Sequence, residues 1–327
     1  MDNLASRIQH TGQRAKSKEQ RARNLKQRAE SEEQEALSPM PYALNSVLYA
    51  LFRLARPLNG VIVFISVFLG AFLAKGSIST LINVVIAAIA AFLLSSAGNA
   101  FNDFYDVETD RINKPSRPIP SGQVKRRSAL MLAVVLFAIG TGLGLLINWL
   151  AFIVACVVSG LLVFYTIKLR QLSLTGNMVI GLLTGLAFIW GGIAVETRHA
   201  VSLRAVIPAV FAFLFTSGRE IVKDIQDIRG DKAAGLLSLS VKWGQRKAMY
   251  ASFIFLALVI LISPFPYLLG TYSLYYLICV VLGVDLVLIY CMTILLTGLT
   301  KQNAARVANL MKFDIFIGLG AIYLGGL

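Results

Sequence analysis

Residues 81–110 read LINVVIAAIAAFLLSSAGNAFNDFYDVETD. No charged residue occurs from Leu81 to Asn102, and then Asp103, Asp106, Glu108 and Asp110 follow closely. About 20 apolar residues suffice to cross a hydrocarbon core as a helix. The stretch therefore reads as a membrane-spanning helix that runs into a row of acid. Comparable apolar runs recur at about 57–75, 79–101, 128–146, 148–167, 175–195, 201–217, 247–269, 273–298 and 308–327. Of the whole chain 57% is hydrophobic and only 15% charged, against about 25% charged in an ordinary globular domain. The expected fold is an all-α integral membrane protein with about nine transmembrane helices. Glycines in GTGLGLL (140–146) and GLGAIYLGGL (318–327) suit close helix packing.

Residues 1–45 differ in kind. RAKSKEQRARNLKQRAESEEQEALSP has neither the apolar core nor the cleavage site of a signal peptide, so a solvated tail or frayed helix is expected there. The membrane domain is expected over 46–327. Cys156, Cys279 and Cys291 share no metal-ligand spacing and read as packing residues, while His10 and His199 offer no catalytic constellation.

The net charge of +14 does not indicate a nucleic-acid partner, because the cations sit in the tail and in alternate loops. Arg111, Lys114, Arg117, Lys125, Arg126 and Arg127 lie between the second and third runs. Arg219, Lys223, Arg229, Lys232, Lys242, Arg246 and Lys247 lie between the sixth and seventh, and Lys301, Arg306 and Lys312 precede the ninth. The opposite loops hold only Lys75, Arg198 and Arg204. The positive-inside rule makes the N-terminus and the long loops cytoplasmic in a multi-pass cell-membrane protein.

Eight acidic residues of the body fall in two segments of those loops, 97–122 and 217–235. On a continuous helix Asn102, Asp106 and Asp110 project within about 80° of one another, and Asp224, Asp227 and Asp231 within about 60°, with Glu220 on the same stripe. Asp103 and Glu108 fall off the face. Two rows of like charge near lipid repel unless cations neutralise them. Mg²⁺ with a bridging anionic ligand satisfies that requirement, since it takes a few carboxylates and completes its shell with phosphate and water. Lys114, Arg117, Arg219, Lys223 and Lys232 flank the rows and suit a diphosphate. Asp285 and Asp314 sit within apolar runs with no evident assignment.

These segments resemble the two signatures of the UbiA superfamily of intramembrane prenyltransferases. The first match is Asn102-x₃-Asp106-x₃-Asp110 followed by NKPSRPIPSG (113–122), and the second is Asp224-x₂-Asp227-x₃-Asp231. Arg56-Pro57-Leu58-Asn59, Tyr165, Lys168 and Gly176-Asn177 support it over about 50–327. Within the superfamily, REIVKDIQDIRGDKAAG with SLSVKWG (238–244) is similar to the geranylgeranylglycerol-phosphate geranylgeranyltransferases.

The resemblance implies a helix bundle around a central cavity and a Mg²⁺-dependent transfer. Its donor would be geranylgeranyl diphosphate, its acceptor the hydroxyl of geranylgeranylglyceryl phosphate and its product an ether lipid. Asp106, Asp110, Asp227 and Asp231 would be catalytic, holding the metal with Asn102 and Asp224. Arg56, Asn59, Lys114, Arg117, Tyr165, Lys168, Arg219 and Lys223 would contact substrate, with Phe101, Phe104 and Tyr105 as further cavity aromatics. Lys168 and Arg170 are the cations expected to meet an acceptor phosphate. The expected partners are these lipid-like substrates and the bilayer; no protein partner is indicated. Two alternatives stay open. An aromatic-acceptor prenyltransferase of quinone biosynthesis shares every catalytic feature. A divalent-cation transporter would place such carboxylates nearer the bilayer midplane and without interspersed cations.

The charge distribution generates a topology test. Cysteines introduced at Ser121 and Lys242, in a background lacking the native three, label from the cytoplasmic side, and one at Arg198 labels from outside. Labelling of all three from one face would overturn the nine-span arrangement.

Overall fold

A computed structural model describes residues 40–74, 80–169, 172–195 and 203–327. The expected tail up to residue 39 lies outside the described residues, as do Lys75, Arg170, Glu196, Arg198 and His199. The chain divides into two units, Met1–Tyr49 and Ala50–Leu327. Helix α1, Met40–Ala55, begins before the boundary expected at 45/46, because the apolar sequence that favours it already starts at Met40.

α2, Pro57–Leu73, starts with proline at N1, where the missing N–H costs nothing. The residue before a proline is excluded from the helical region. Arg56 takes neither that region nor the extended one but the left-handed region, at φ 48° and ψ 64°, and the chain turns by 45° between α1 and α2. α3, Leu81–Tyr105, is separated from the short α4, Val107–Asn113, by Asp106 at φ −91° and ψ 14°. Then come α5, Arg126–Leu143, and α6, Trp149–Ile167, which is capped by Asn148 accepting from Ala151 N at 2.7 Å. α7 is Leu174–Val195 and α8 is Leu203–Ala233. The chain closes with α9, Leu239–Trp243; α10, Gln245–Ile262; α11, Phe265–Leu268; α12, Leu274–Cys279; α13, Leu286–Thr297; and α14, Lys301–Gly326. A π-helical turn, Val280–Asp285, joins α12 to α13. There is no strand among the described residues.

Among the described residues eight helices are long and apolar enough to cross a membrane, and the bent α1–α2 pair makes nine. Outward faces are apolar as well, with Ile82 and Met131 each 69% exposed and Leu261 66%. That surface matches lipid, not water.

Two expectations about helix ends need correction. The sixth run does not stop at 217, because α8 continues unbroken through Glu220, Asp224, Asp227 and Asp231. Arg219, Glu220, Lys223 and Lys232 are good helix formers, and Asp224 and Asp227, which are poorer ones, find partners on the inner face, so nothing ends the helix there. Lys312 likewise does not precede the last span; α14 begins at Lys301 after Thr300, whose Oγ1 accepts from Asn303 N at 3.1 Å.

Close helix contacts rest on glycine. A Cβ at Gly70 of α2 would lie 1.9 Å from Phe188 O, and one at Gly191 of α7 1.9 Å from Val67 O. α7 and α8 meet the same way at Gly181 and Gly185, where a Cβ would fall 2.6 Å from Phe213 O and from Ala209 O. Small residues here let the backbones meet where lipid offers no hydrophobic drive. Gly191→Val therefore separates α2 from α7 and costs about 1 to 3 kcal/mol. A purified variant unfolding at the wild-type temperature would contradict this packing.

Candidate active site

A cavity of about 270 Å³ opens among α2, α3, α4, α6, α7 and α8. Asn102, Asp106, Asp110, Asp224, Asp227 and Asp231 all line it, so both expected rows face one space. Arg56, Asn59, Lys114, Arg117, Tyr165, Arg219 and Lys223 line it too. Its other wall is apolar and includes Leu94, Val154, Leu162, Leu183 and Trp190. Lys168 is exposed at the end of α6 and is absent from that lining.

The first row reaches the cavity differently from the expected single helix face. The helix breaks at Asp106, which is the C-cap of α3 and precedes α4. Asn102 and Asp110 thus belong to two helices that converge. The break also changes the reading of Asp103, which the helical phase puts off the face. It is buried and accepts from Arg56 and from Arg117, the latter at 3.0 Å. Arg117 also bridges to Asp110. Glu108 is exposed and pairs with Arg111 at 2.8 Å.

Asp227, Asp224 and Glu220 each have a partner of their own. Lys114 pairs with Asp227 across the two rows. Asp224 Oδ2 accepts from Asn177 Nδ2 at 2.9 Å and from Leu239 N at 3.3 Å. Lys223 Nζ holds Glu220 at 2.6 Å, and Arg219 approaches the same carboxylate at 3.6 Å. Burial pushes the Asp110 carboxyl above the usual carboxylate range, while the Arg117 guanidinium beside it opposes that rise.

Asn113 joins the rows, and sequence reasoning missed it. Its Nδ2 donates to Asp227 O at 2.8 Å, and its Oδ1 accepts from Gly230 N at 3.0 Å. A Cβ at Gly230 would lie 2.3 Å from the Asn113 amide, so only glycine admits this approach. Lys301 Nζ reaches Asn113 O from α14 at 3.3 Å. The one signal available was its place at the head of NKPSRPIPSG.

Among the described residues no three acidic, histidine or cysteine side chains converge into a ready metal cage. The donor set nevertheless fits Mg²⁺ in kind. It is all hard oxygen, and Asp227 Oδ1 is buried on the cavity wall with no hydrogen-bond partner. Mg²⁺ rarely takes an all-protein cage and draws its remaining ligands from substrate phosphate.

The expected aromatics separate. Tyr165 lines the cavity, but Phe101 stacks on Phe104 at 6.0 Å and Arg126 covers the Phe104 ring at 4.6 Å. Phe101, Phe104 and Tyr105 are absent from the lining. Asp285 accepts from Ser263 Oγ at 2.7 Å, while Asp314 lines a smaller apolar cavity of about 90 Å³.

The UbiA prenyltransferase family matches residues 63–316. A digeranylgeranylglyceryl phosphate synthase of Natronomonas pharaonis is 41% identical over 231 residues, which are 71% of this chain and 82% of that protein. A solved structure described as digeranylgeranylglyceryl phosphate synthase in membranes is 33% identical, with TM-score 0.66, over 86% of this chain and 98% of its own. A UbiA homologue from Archaeoglobus fulgidus, solved with GPP and Mg²⁺, shares the fold at 16% identity and TM-score 0.60, over 84% of this chain and 99% of its own.

The two-sided Asn113 bond generates a prediction. Asn113→Ala removes both bonds and costs about 1 to 3 kcal/mol. It lowers turnover although every carboxylate remains. Thermal unfolding and turnover of the purified variant check this, and wild-type values for both would remove the clamp.

Proposed function

The chain belongs to the UbiA prenyltransferase family, and from that premise we propose that it transfers a geranylgeranyl group from geranylgeranyl diphosphate to the free hydroxyl of geranylgeranylglyceryl phosphate. The product is an ether of the archaeal lipid type. The observation that carries the reading is one cavity with a carboxylate and cation face and an apolar wall. A diphosphate with a long hydrocarbon tail has the same two ends. The acceptor follows from the 41%-identical relative, a digeranylgeranylglyceryl phosphate synthase.

Asn102, Asp106, Asp110, Asp224, Asp227 and Asp231 would hold Mg²⁺. When bound, it supplies charge against the diphosphate oxygens. Lys114 and Arg117 hold the carboxylates in the free protein. They lie where negative charge grows on the diphosphate as the allylic C–O bond breaks, and preorganised cations favour that state over the ground state. Tyr165 and Trp190 line the cavity, and aromatic rings suit an allylic cation. The apolar wall of Leu94, Val154 and Leu162 keeps water from capturing that cation. The acceptor oxygen then forms the new C–O bond, and its proton leaves with the released diphosphate. Arg56, Asn59, Arg219 and Lys223 are the remaining substrate contacts. The basic loops put the mouth and the N-terminus on the cytoplasmic side.

Purified protein assayed with labelled geranylgeranyl diphosphate, a panel of acceptors and EDTA tests the reading. Asp106→Ala or Asp227→Ala lowers kcat by about 100-fold or more, while the protein inserts and purifies normally. EDTA abolishes turnover and Mg²⁺ restores it. Full activity in either variant would sink the site. Prenylation of a hydroxybenzoate or dihydroxynaphthoate but not of geranylgeranylglyceryl phosphate would sink the acceptor.

A further inference from the structure

Lys312 lies half-buried within the last span, on α14, and makes no hydrogen bond or ion pair among the described residues. An unpaired ammonium inside a span is costly, and such a residue marks a missing partner. The charged groups that bear on it most are two more cations, Arg219 and Arg56. The geometry agrees. Arg219 Nε donates to Ala308 O at 3.1 Å, so α8 meets α14 there. Lys312 is one turn beyond Ala308 on the same face, and Ile315, three residues on, lines the cavity.

The acid nearby is already shared. Asp103 serves both Arg56 and Arg117, and Glu220 serves both Lys223 and Arg219. Positive charge is therefore in excess here, while carboxylates dominate at the two rows. Arg219 precedes Asp224, the first aspartate of the second row, by five residues, about 7.5 Å along α8. Arg56 and Arg219 line the cavity, and Lys312 neighbours them from α14.

On the basis of the proposed transfer, we infer that Lys312, with Arg219 and Arg56, binds the phosphomonoester of the acceptor. In a glyceryl phosphate whose lipid chain and phosphate occupy the two terminal carbons, the free hydroxyl is on the carbon next to the phosphate ester. Anchoring the phosphate here turns that hydroxyl toward the allylic carbon. Lys168, the cation that the sequence offers for this task, is exposed at the end of α6, whereas Lys312 is half-buried beside two cavity-lining arginines. Arg170 lies outside the described residues.

The test uses the full chain in detergent, with geranylgeranyl diphosphate as donor and geranylgeranylglyceryl phosphate or its dephosphorylated alcohol as acceptor. Lys312→Met and Lys312→Gln each raise KM for the phosphorylated acceptor about tenfold and leave donor KM within about twofold, as loss of one charge-assisted contact requires. Their preference for the phosphorylated over the dephosphorylated acceptor falls by the same factor, and Lys312→Arg restores it. Substrate-free Lys312→Met also unfolds at a higher temperature than wild type, because the unpaired cation is gone. An unchanged acceptor KM overturns the inference while the proposed function stands. An equal rise in donor KM assigns the cluster to the diphosphate and overturns it as well. In nanodiscs, a defect seen only with phosphatidylglycerol and absent in phosphatidylcholine assigns the cluster to bilayer headgroups and likewise overturns the inference. A wild-type enzyme that ignores the phosphorylated acceptor overturns the proposed function and this inference together.

Discussion

Carboxylates gathered inside a bundle whose outer surface is apolar must be neutralised, and the arrangement of this protein follows from how that is done. Arg117 is shared by Asp103 and Asp110, Lys114 crosses to Asp227, and Lys223 covers Glu220. Asp224 is held by neutral donors, the Asn177 amide and the Leu239 N–H. Each bond crosses from one element to another or closes one turn. Neutralising the charge therefore also fixes α3, α4, α7 and α8 around a common space. The same side chains that stabilise the substrate-free state are those that a diphosphate and its metal would engage.

This dual use explains why the rows are not a closed metal cage. A cage complete without substrate would hold Mg²⁺ with nothing left to sense the diphosphate. Asn113 makes the arrangement stiff. It joins α4 to α8 through both its donor and its acceptor, at a glycine that admits no side chain. Preorganisation of this kind lets electrostatic stabilisation act without further rearrangement.

The apolar part of the molecule is bound by a different constraint. Lipid offers no hydrophobic drive for helix association, so contact depends on shape. Gly70, Gly181, Gly185 and Gly191 place backbone against backbone along α2, α7 and α8. The cavity wall therefore rests on close-packed helices, while its mouth rests on ion pairs. Substitutions in the two regions act through different physics.

Much was legible in the sequence because it depends on local pattern. Apolar run length fixes a transmembrane helix, and among the described residues the nine runs correspond to eight long helices and one bent pair. The spacing of Asp224, Asp227 and Asp231 brings that row to one side of a continuous helix, whereas Asn102, Asp106 and Asp110 meet the same cavity across a helix break that spacing does not show. Loop charge carries topology for the same local reason. Other features depend on which helix lies opposite. Asp103 looks idle on a helical wheel and becomes an anchor only because Arg56 and Arg117 reach it from distant positions. Asn113 acquires its role from Gly230, 117 residues away. Lys312 reads as a flanking cation until α14 is seen to face Arg219. The sequence determines which residues carry charge and how they are spaced along a helix. Only tertiary structure decides which charge meets which, because partners that neutralise one another inside a bilayer come from different helices.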